Sequence, residues 1–286
     1  MNIDTQSIGV IAGILRNAAR DIVLPHFHDL GAHQVRTKSS HLDLVTDADE
    51  AAEALITSQL AQAFPGALVV GEEAVAADET ALDGLESADL AFVIDPIDGT
   101  KNFASGLPLF GMMVAVLRRG SCIAGIIFDP ILDDFAAAIR GQGAWTERPD
   151  GRRLPLRVCA ARPVSEMLGV VSWMFLPEPL RSRVTNNMAR FGGAANYRTA
   201  AHEYRLVAGG HYDFAFYRKL APWDHLAGVL IHEAAGGFAA CLDGRPYTLA
   251  SARDAEGLIC APDEASWKAV RATLLGAEEN GVRPQY

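Results

Sequence analysis

Hydrophobic residues in the first part of the chain recur three or four positions apart. In residues 7–27 this spacing places the apolar side chains on one face, which is typical of an amphipathic helix packed on a core. Pro25 is expected to end that helix. Residues 38–50 are predicted to be a polar loop that enters a second helix, which runs to about residue 64. Two helices are thus predicted before the first strand.

Short apolar runs follow and end in acidic residues. The run at 67–70 stops at Gly71 and Glu72, and the run at 90–94 stops at Asp95. Runs rich in β-branched and aromatic residues and bounded by turn residues are typical of buried strands. Carboxylates are therefore predicted at the ends of two core strands.

The corner after the second run combines two carboxylates with a predicted helix start. Pro96 fixes its own φ and favours extended geometry at Asp95. Asp98 has the position of a helix N-cap, with Gly99 and Thr100 as the first helical residues. Such a corner offers oxygen ligands to a hard divalent cation and free N–H groups to a phosphate.

Alternating patterns continue to the end of the chain. Residues 109–117, 122–128 and 135–139 are predicted to form an antiparallel meander. The later predicted elements are strands at 168–172, 212–217 and 258–261 and helices at 178–191, 200–208, 226–237 and 264–275. Residues 146–162 are rich in Pro, Gly and Arg, which suggests a subdomain boundary. Within them, residues 154–158 are a candidate for an edge strand. We predict an N-terminal α+β subdomain at 1–150 and a C-terminal α/β subdomain at 151–286.

Composition narrows the possible partners. The chain has 286 residues, of which 50% are hydrophobic, so a substantial core is expected. A formal charge of −10 without a basic run argues against nucleic acid or an anionic membrane as the main partner. No apolar run is long enough to span a bilayer. Four cysteines without close pairing, and no recognisable leader, predict a reduced, cytoplasmic setting.

Taken singly, three acidic residues have structural alternatives. Asp49 forms a predicted capping box with Thr46, Glu72 is compatible with a solvated turn, and Asp224 is compatible with a helix N-cap. Their significance depends on the motifs in which they occur.

Three motifs together resemble those of a known family. GEE at 71–73, DPIDGTKNF at 95–103 and WDHLAG at 223–228 resemble the signatures of the inositol monophosphatase family of magnesium-dependent, lithium-sensitive phosphatases. The similarity extends from Lys38 to Gly237. It implies a layered α-β-α-β-α sandwich of the fructose-1,6-bisphosphatase/inositol monophosphatase type, with an α+β half and an α/β half.

The resemblance also implies two or three Mg²⁺ ions. In the family, one ion is held by the residues that match Glu72, Asp95 and the carbonyl of Ile97. A second is held by those that match Asp95, Asp98 and Asp224, and a weaker third by Glu72. These are hard oxygen ligands, which Mg²⁺ prefers.

Roles in catalysis follow from the same resemblance. The residue that matches Asp49 accepts a hydrogen bond from that matching Thr100, and the pair with Glu72 orients the attacking water. The phosphate is expected over the N–H groups of Gly99 and Thr100. Lys38 matches a lysine of a loop near the active site, with an ordinary surface lysine as the alternative.

The pattern departs from the family at the predicted substrate contacts. Tyr217 stands where inositol monophosphatases have a glutamate that contacts inositol, and Lys101 replaces a common threonine. A lysine directly after DGT resembles the pattern of relatives that act on histidinol phosphate or adenosine bisphosphates. Besides the phosphate-binding residues, the predicted substrate contacts are Lys38, Ala200, Tyr217 and Arg198. We also hypothesise that a second anionic group of the substrate binds to a basic wall formed by Arg198, Tyr217, Arg218 and Lys219. The alternative is that these residues form an ordinary basic surface.

The expected activity is hydrolysis of a phosphoric monoester of a small polyol or sugar. The alternatives are a histidinol-phosphate phosphatase and a 3′-phosphoadenosine 5′-phosphate phosphatase. A different class is a non-catalytic regulatory or binding protein on the same fold, because some relatives have RNA-polymerase or ribosome-linked roles. The family resemblance also implies a homodimer. The expected binding partner is a small phosphorylated metabolite, as the substrate.

Overall fold

Two large β-sheets, of seven and five strands, alternate with three layers of helices in the computed structural model, which describes residues 3–29, 35–40 and 43–276. The helices are α1 (Thr5–Ala18), α2 (Leu24–His28), α3 (Asp47–Ala63), α4 (Glu72–Ala77), α5 (Thr100–Ala104), α6 (Leu180–Met188), α7 (Ala200–Ala208), α8 (Pro222–Ala234), α9 (Ser251–Asp254) and α10 (Glu264–Leu275). The strands are β1 (Val35–Ser40), β2 (Asp43–Thr46), β3 (Leu68–Gly71), β4 (Ala91–Asp98), β5 (Gly111–Arg118), β6 (Ser121–Asp129), β7 (Asp134–Ile139), β8 (Gly143–Glu147), β9 (Arg153–Pro155), β10 (Leu168–Val171), β11 (Gly193–Ala195), β12 (Phe214–Tyr217), β13 (Phe238–Cys241) and β14 (Leu258–Ala261).

The larger sheet has seven strands in the order β3-β4-β5-β6-β7-β8-β9. β3 and β4 are parallel, and the remaining pairs are antiparallel. Because alternate side chains of a strand point to opposite faces, Phe92 and Ile94 pack with α1 and α3 on one face. Val93 points to the other face, where it joins the cluster that contains α7 and α8. The parallel pair brings the ends of β3 and β4 to the same edge.

The smaller sheet has five strands in the order β11-β10-β12-β14-β13. One face packs on α7 and α8, which lie between the two sheets, and the other packs on α6 and α10. The predicted α-β-α-β-α layering is therefore confirmed. The seven-stranded sheet includes residues up to Pro155, and the five-stranded sheet begins at Leu168.

The helix α8 lies very close to the larger sheet. A Cβ atom at Gly125 of β6 would lie only 2.8 Å from the Cα and the carbonyl oxygen of Ala227. Glycine at this position allows backbone to approach backbone, and the contact fixes the height of α8 above the sheet. Asp224 is in the first turn of the same helix.

Most long elements were predicted, including the meander and the exact bounds of α7 and α10. The capping box of Thr46 and Asp49 is also confirmed. The first helix was predicted to end near Pro25, but a π-helical segment at Ala19–Val23 connects α1 to α2, which begins at Leu24 and ends at His28. Pro25 is the second residue of α2 and follows the π-helical segment, so it does not end the helix.

Two further predictions were wrong in detail, and one structural alternative is excluded. The predicted loop at 38–50 contains strands, because β1 and β2 form an antiparallel pair. Asp98 is not an N-cap: it is the last residue of β4, and Gly99, with φ +89°, caps a helix that begins at Thr100. The N-cap alternative for Asp224 is excluded, since Ala221 has that position. The short strands β8, β11 and β13 were not predicted.

The structure shows the state of the cysteines and the length of the helices. All four cysteines are free thiols. Among the described residues, the helices are too short or too polar to cross a membrane.

Candidate metal centre and substrate cleft

A cleft of about 140 Å³ opens where the two sheets and their helices meet. Its walls come from the start of α4, the end of β4, the start of α5, the start of α7, the end of β12 and the first turn of α8. The predicted site residues that line it are Glu72, Asp95, Ile97, Asp98, Gly99, Thr100, Arg198, Ala200, Tyr217 and Asp224. Segments far apart in the chain thus contribute to one cavity.

Glu72 is the first residue of α4, and a buried acid holds the start of that helix in place. The carboxylate of Glu53 on α3 accepts hydrogen bonds from the N–H groups of Glu73 (2.7 Å) and Ala74 (2.9 Å). A Cβ atom at Gly71 would lie 2.1 Å from the Glu53 carboxyl carbon, so glycine is required for this approach. The glycine and the second glutamate of the GEE motif therefore position Glu72 through Glu53.

Three carboxylates converge at the floor of the cleft. Glu72, Asp95 and Asp224 each offer an oxygen atom, and these atoms lie within 4.8 Å of one another. Asp95 is buried, and its Oδ1 accepts a hydrogen bond from the N–H of Ile97 at 3.0 Å. Like charges so close together are unfavourable unless protons or a cation reduce the repulsion.

Burial raises the pKa values of Asp95 and Asp224. The pKa of Asp95 is well above its usual range because of burial and then the nearby charges of Glu72, Asp98 and Asp224. The pKa of Asp224 is also raised well above its usual range, by burial and the charges of Glu72 and Asp98, although Lys219 opposes this increase. The donor set is entirely oxygen and strongly anionic, so it fits a hard divalent cation such as Mg²⁺.

Asp98 connects the floor of the cleft to α7. Its Oδ2 accepts hydrogen bonds from the Thr199 hydroxyl (2.6 Å) and the Ala201 N–H (2.7 Å). Burial raises the pKa of Asp98, and these two hydrogen bonds oppose the increase. Asp98, which was predicted to cap α5, therefore binds the start of α7, a helix that begins about a hundred residues later in the sequence.

Thr100 and Asp49 form the hydrogen bond that the resemblance implies. The Thr100 hydroxyl lies 3.2 Å from Oδ1 of Asp49 and 3.0 Å from the carbonyl oxygen of Ile97. Oδ2 of Asp49 accepts hydrogen bonds from the backbone N–H (2.8 Å) and hydroxyl (2.5 Å) of Thr46. One carboxylate therefore both caps α3 and orients Thr100, so its structural and functional interpretations are compatible.

The first turn of α8 is fixed beside Asp224. His225 is buried, which lowers its pKa to about 4, so it is neutral at physiological pH. Its Nε2 lies 2.8 Å from the carbonyl of Lys219, and its Nδ1 lies 2.9 Å from the Tyr204 hydroxyl. These partners assign a proton to Nε2, and Tyr204 donates to Nδ1. The Tyr204 ring stacks on Tyr217 with centroids 5.3 Å apart.

The remaining predicted residues divide into two groups. Lys101 and Lys219 line the cleft together with Arg198, whereas Arg218 is half-buried and is not among the described residues that line it. Lys38 lies in β1, and its side chain is outside the described part of the structure.

Several residues at the site were not predicted. Besides Glu53 and Thr199, they include Asn102, whose side-chain amide donates to the carbonyls of Leu109 (2.9 Å) and Tyr197 (2.8 Å). Glu53 stands four positions after Asp49 on α3, so helical spacing alone could have placed both acids on one face. Sequence offers no comparable signal for Thr199, because its partner lies 101 positions away.

Comparison with known proteins shows the family to which the chain belongs. The sequence model of the Inositol monophosphatase family matches residues 5–277. An inositol-1-monophosphatase of Bacillus subtilis (strain 168) is 30% identical over 217 residues, which cover 75% of this chain and 78% of that protein. The Nus factor SuhB of Escherichia coli (strain K12) is 31% identical over 230 residues, which cover 79% of this chain and 82% of that protein.

Solved structures show the same fold. The extragenic suppressor protein suhB from Bartonella henselae superposes with a TM-score of 0.79 and 28% identity, covering 96% of this chain and 99% of that one. A Thermotoga maritima IMPase superposes with a TM-score of 0.77 and 24% identity, covering 95% of this chain and 97% of that one. The family model spans nearly the whole chain, and the relatives match over most of their length. This chain is therefore a member of the inositol monophosphatase family.

Proposed function

We propose that this protein is a Mg²⁺-dependent phosphomonoesterase that hydrolyses a phosphate ester of a small polyol or sugar. The observation that carries the proposal is the convergence of Glu72, Asp95 and Asp224, whose carboxylate oxygens lie within 4.8 Å of one another in a cleft. Burying such a cluster costs stability unless a cation binds there, so it is expected to be retained for binding one.

Two or three Mg²⁺ ions are proposed per site. Glu72, Asp95 and the Ile97 carbonyl would hold one, and Asp95, Asp98 and Asp224 a second, with Glu72 also contributing to a weaker third. When bound, Mg²⁺ neutralises charge on the phosphate and lowers the pKa of a coordinated water. Asp98 has one oxygen committed to Thr199 and Ala201, which leaves Oδ1 as its expected ligand atom.

The chain's own groups orient the reactants. We propose that the N–H groups of Gly99 and Thr100 bind the phosphate, and that the Thr100 hydroxyl and the Glu72 carboxylate direct the attacking water. Asp49 holds the Thr100 hydroxyl, at 3.2 Å, in the orientation that this role needs. Positioning of this kind supplies much of the rate enhancement in phosphoryl transfer.

Phosphate release tests the proposal directly. Purified protein with Mg²⁺ should release inorganic phosphate from inositol 1-phosphate, histidinol phosphate or 3′-phosphoadenosine 5′-phosphate, and EDTA should abolish the release. The ester that is hydrolysed with the highest kcat/KM would identify the substrate class among the three candidates. The enzyme proposal fails if none of these esters, nor a broader panel of phosphomonoesters, is hydrolysed in a metal-dependent way.

A second candidate is a non-catalytic regulatory or binding role. It is favoured by the relatives named Nus factor SuhB, of which one from Escherichia coli is 31% identical. The three converging carboxylates argue against it, because a protein without turnover has no need to keep a repulsive acidic cluster. With a formal charge of −10, we propose that nucleic acid and membranes are not its partners. A protein that binds an RNA-polymerase component but releases no phosphate would favour the regulatory role.

Three organisational features belong to the same proposal. We propose two subdomains, 1–150 and 151–286, with Asp224 contributed by the second. A cytoplasmic location is supported by four free thiols, which persist in reducing compartments. A homodimer is supported by the family resemblance, and light scattering coupled to size-exclusion chromatography would test it.

A further inference from the structure

Arg198 has a backbone conformation that favours glycine. Its φ is +57°, in the left-handed region, where a side chain is sterically disfavoured. The other described non-glycine residues with positive φ are Arg119 and Asp133, which follow β5 and precede β7 in hairpin turns. Arg198 differs because it lines the cleft and directly precedes Thr199. Strain of this kind in a binding cleft points to a function for the side chain.

The segment that carries Arg198 is held on several sides. The N–H of Arg198 donates to the side-chain oxygen of Asn196 at 3.0 Å. The N–H of Tyr197 donates to the buried carboxyl group of Glu203 at 2.9 Å, and the Tyr197 carbonyl accepts from Asn102 at 2.8 Å. The guanidinium group is therefore presented by a rigid segment, which reduces the entropy lost when it binds a ligand.

The surroundings of Arg198 suit an anion. Burial lowers the pKa of its guanidinium group, which means that the cation is partly removed from water. Burial also raises the pKa of Glu203 to about 8, which favours its neutral form more than in an exposed glutamate. Lys101 and Lys219 line the same cleft. An anionic group of the substrate would compensate for the desolvation of Arg198.

Tyr217 supplies a second polar group. It is buried, lines the cleft, and its hydroxyl makes no well-formed hydrogen bond to any described residue, although Glu203 lies nearby. A buried hydroxyl without a partner is costly, and a ligand atom would satisfy it. At this position the resemblance implies a glutamate that contacts inositol. An acidic acceptor is here replaced by a phenol beside an arginine, and these groups suit an anion better than a neutral polyol.

We propose that Arg198 and Tyr217 select phosphate esters whose alcohol portion carries a second anionic group, either a carboxylate or a phosphate. This inference rests on the proposed phosphomonoesterase activity. It names the class of substrate and assigns its recognition to two residues. Arg198 binds the second anion through its guanidinium group, and the Tyr217 hydroxyl donates to it or to an adjacent oxygen.

Matched ester pairs test the proposal on the Mg²⁺-loaded protein. Glycerol 3-phosphate and 3-phosphoglycerate differ by a carboxylate, and adenosine 3′-monophosphate and 3′-phosphoadenosine 5′-phosphate differ by a phosphate. The wild-type protein is expected to prefer the more anionic member of at least one pair by about tenfold or more in kcat/KM. The pair that shows the preference distinguishes a carboxylate from a phosphate as the second group.

Variants of Arg198 then assign the preference. Arg198→Gly removes the guanidinium group at a residue where glycine fits the backbone, and Arg198→Gln removes the charge while keeping a side chain. Both should lose most of the preference, mainly through a higher KM for the more anionic ester, and Arg198→Lys should keep part of it. Arg119→Gly relieves a similar backbone conformation outside the cleft and should keep the full preference.

The outcomes separate this inference from the proposed function. Absence of metal-dependent release from every ester overturns the phosphomonoesterase proposal itself. Release without a preference in the wild-type protein, or a preference that persists in both Arg198→Gly and Arg198→Gln, overturns the role of Arg198 and leaves the phosphomonoesterase proposal standing. Thermal unfolding of each variant checks that the comparison concerns folded protein.

Discussion

The hydroxyl of Thr199 donates a hydrogen bond of 2.6 Å to Oδ2 of Asp98, although the two residues are 101 positions apart. Both side chains are buried, and the Ala201 N–H occupies the same oxygen at 2.7 Å. One oxygen of Asp98 is thus committed to the start of α7. The position of an acid in the larger sheet is therefore controlled by a helix that packs between the sheets.

Removal of this hydroxyl should weaken both the fold and the metal site. Thr199→Val keeps the size of the side chain but leaves Asp98 with one donor fewer, which is expected to cost about 1–3 kcal/mol of unfolding free energy. Mg²⁺ affinity should fall because Asp98 is less well positioned. Urea unfolding and calorimetric titration with Mg²⁺ measure the two effects. Thr199→Ser restores the donor and should recover both, and equal Mg²⁺ affinity in Thr199→Val would contradict the positioning role.

Glu72→Gln should separate activity from stability. The change removes a charge that raises the pKa values of Asp95 and Asp224, so the metal-free protein is expected to be as stable as the wild type or more stable. The proposed phosphatase activity should nevertheless fall by about a hundredfold or more, because a proposed metal ligand and the proposed water-orienting group are lost.

The adjacent acid provides the control for this prediction. Glu73 is not among the described residues that line the cleft. Glu73→Gln should keep most of the activity. A Glu72→Gln variant that turns over substrate at the wild-type rate would refute the proposed role of Glu72. Phosphate release and urea unfolding in EDTA are the two measurements.

Gly125→Ala should disturb the site from a distance. The added Cβ would lie 2.8 Å from the backbone of Ala227, so α8 must shift away from β6. Overpacking of this kind typically costs about 1–3 kcal/mol, and Asp224 would move with the helix. We expect a lower melting temperature together with weaker Mg²⁺ binding. Gly9→Ala, at an exposed position of α1 with open space around it, should instead be neutral or stabilising.

Buried histidines should make the protein less stable in acid. Burial lowers the pKa of His232 to about 4 from its usual 6.5, so the unfolded chain binds more protons between these values. Stability is therefore complete above pH 6.5, falls as the pH decreases through this window, and is reduced by about 3 kcal/mol below pH 4 through this group.

A His232→Gln variant tests the sign of this effect. Its amide can donate to the Ala261 carbonyl, which His232 Nε2 approaches at 2.9 Å, but it cannot titrate. The loss of unfolding free energy between pH 7.5 and pH 4.5 should be smaller in the variant. His225, whose pKa burial also lowers to about 4, keeps its own contribution, so the dependence should be reduced rather than abolished. Equal pH dependence in both proteins would show that His232 does not titrate in this way.

Local signals in the sequence were sufficient for much of the fold. The apolar periodicity of α3, the capping box of Thr46 and Asp49, and the turns between the meander strands each involve residues close together in the chain. Short elements such as β11 and β13 carry too few residues for a periodic pattern, because they are fixed by pairing with distant strands. The π-helical segment after α1 likewise has no distinctive pattern in the sequence.

The site residues also differ in whether local sequence signals could predict them. Motif residues such as Asp95 could be predicted because they occur in a distinctive corner of the chain. The partners that hold them could not: Glu53 reaches α4 across the packing of two helices, and Thr199 reaches Asp98 between the sheets. Asp98 itself was misassigned because a carboxylate before a glycine and a threonine matches an N-cap equally well.

The dependence of Asp98 on α7, and of the acidic floor on α8, has a consequence during protein synthesis. A nascent chain exposes Glu72, Asp95 and Asp98 well before Thr199 and Asp224 leave the ribosome. Until then, the first three acids lack the residues that position and complete them. Incomplete chains are therefore expected to bind Mg²⁺ poorly, so that the proposed activity begins only after α8 has been translated.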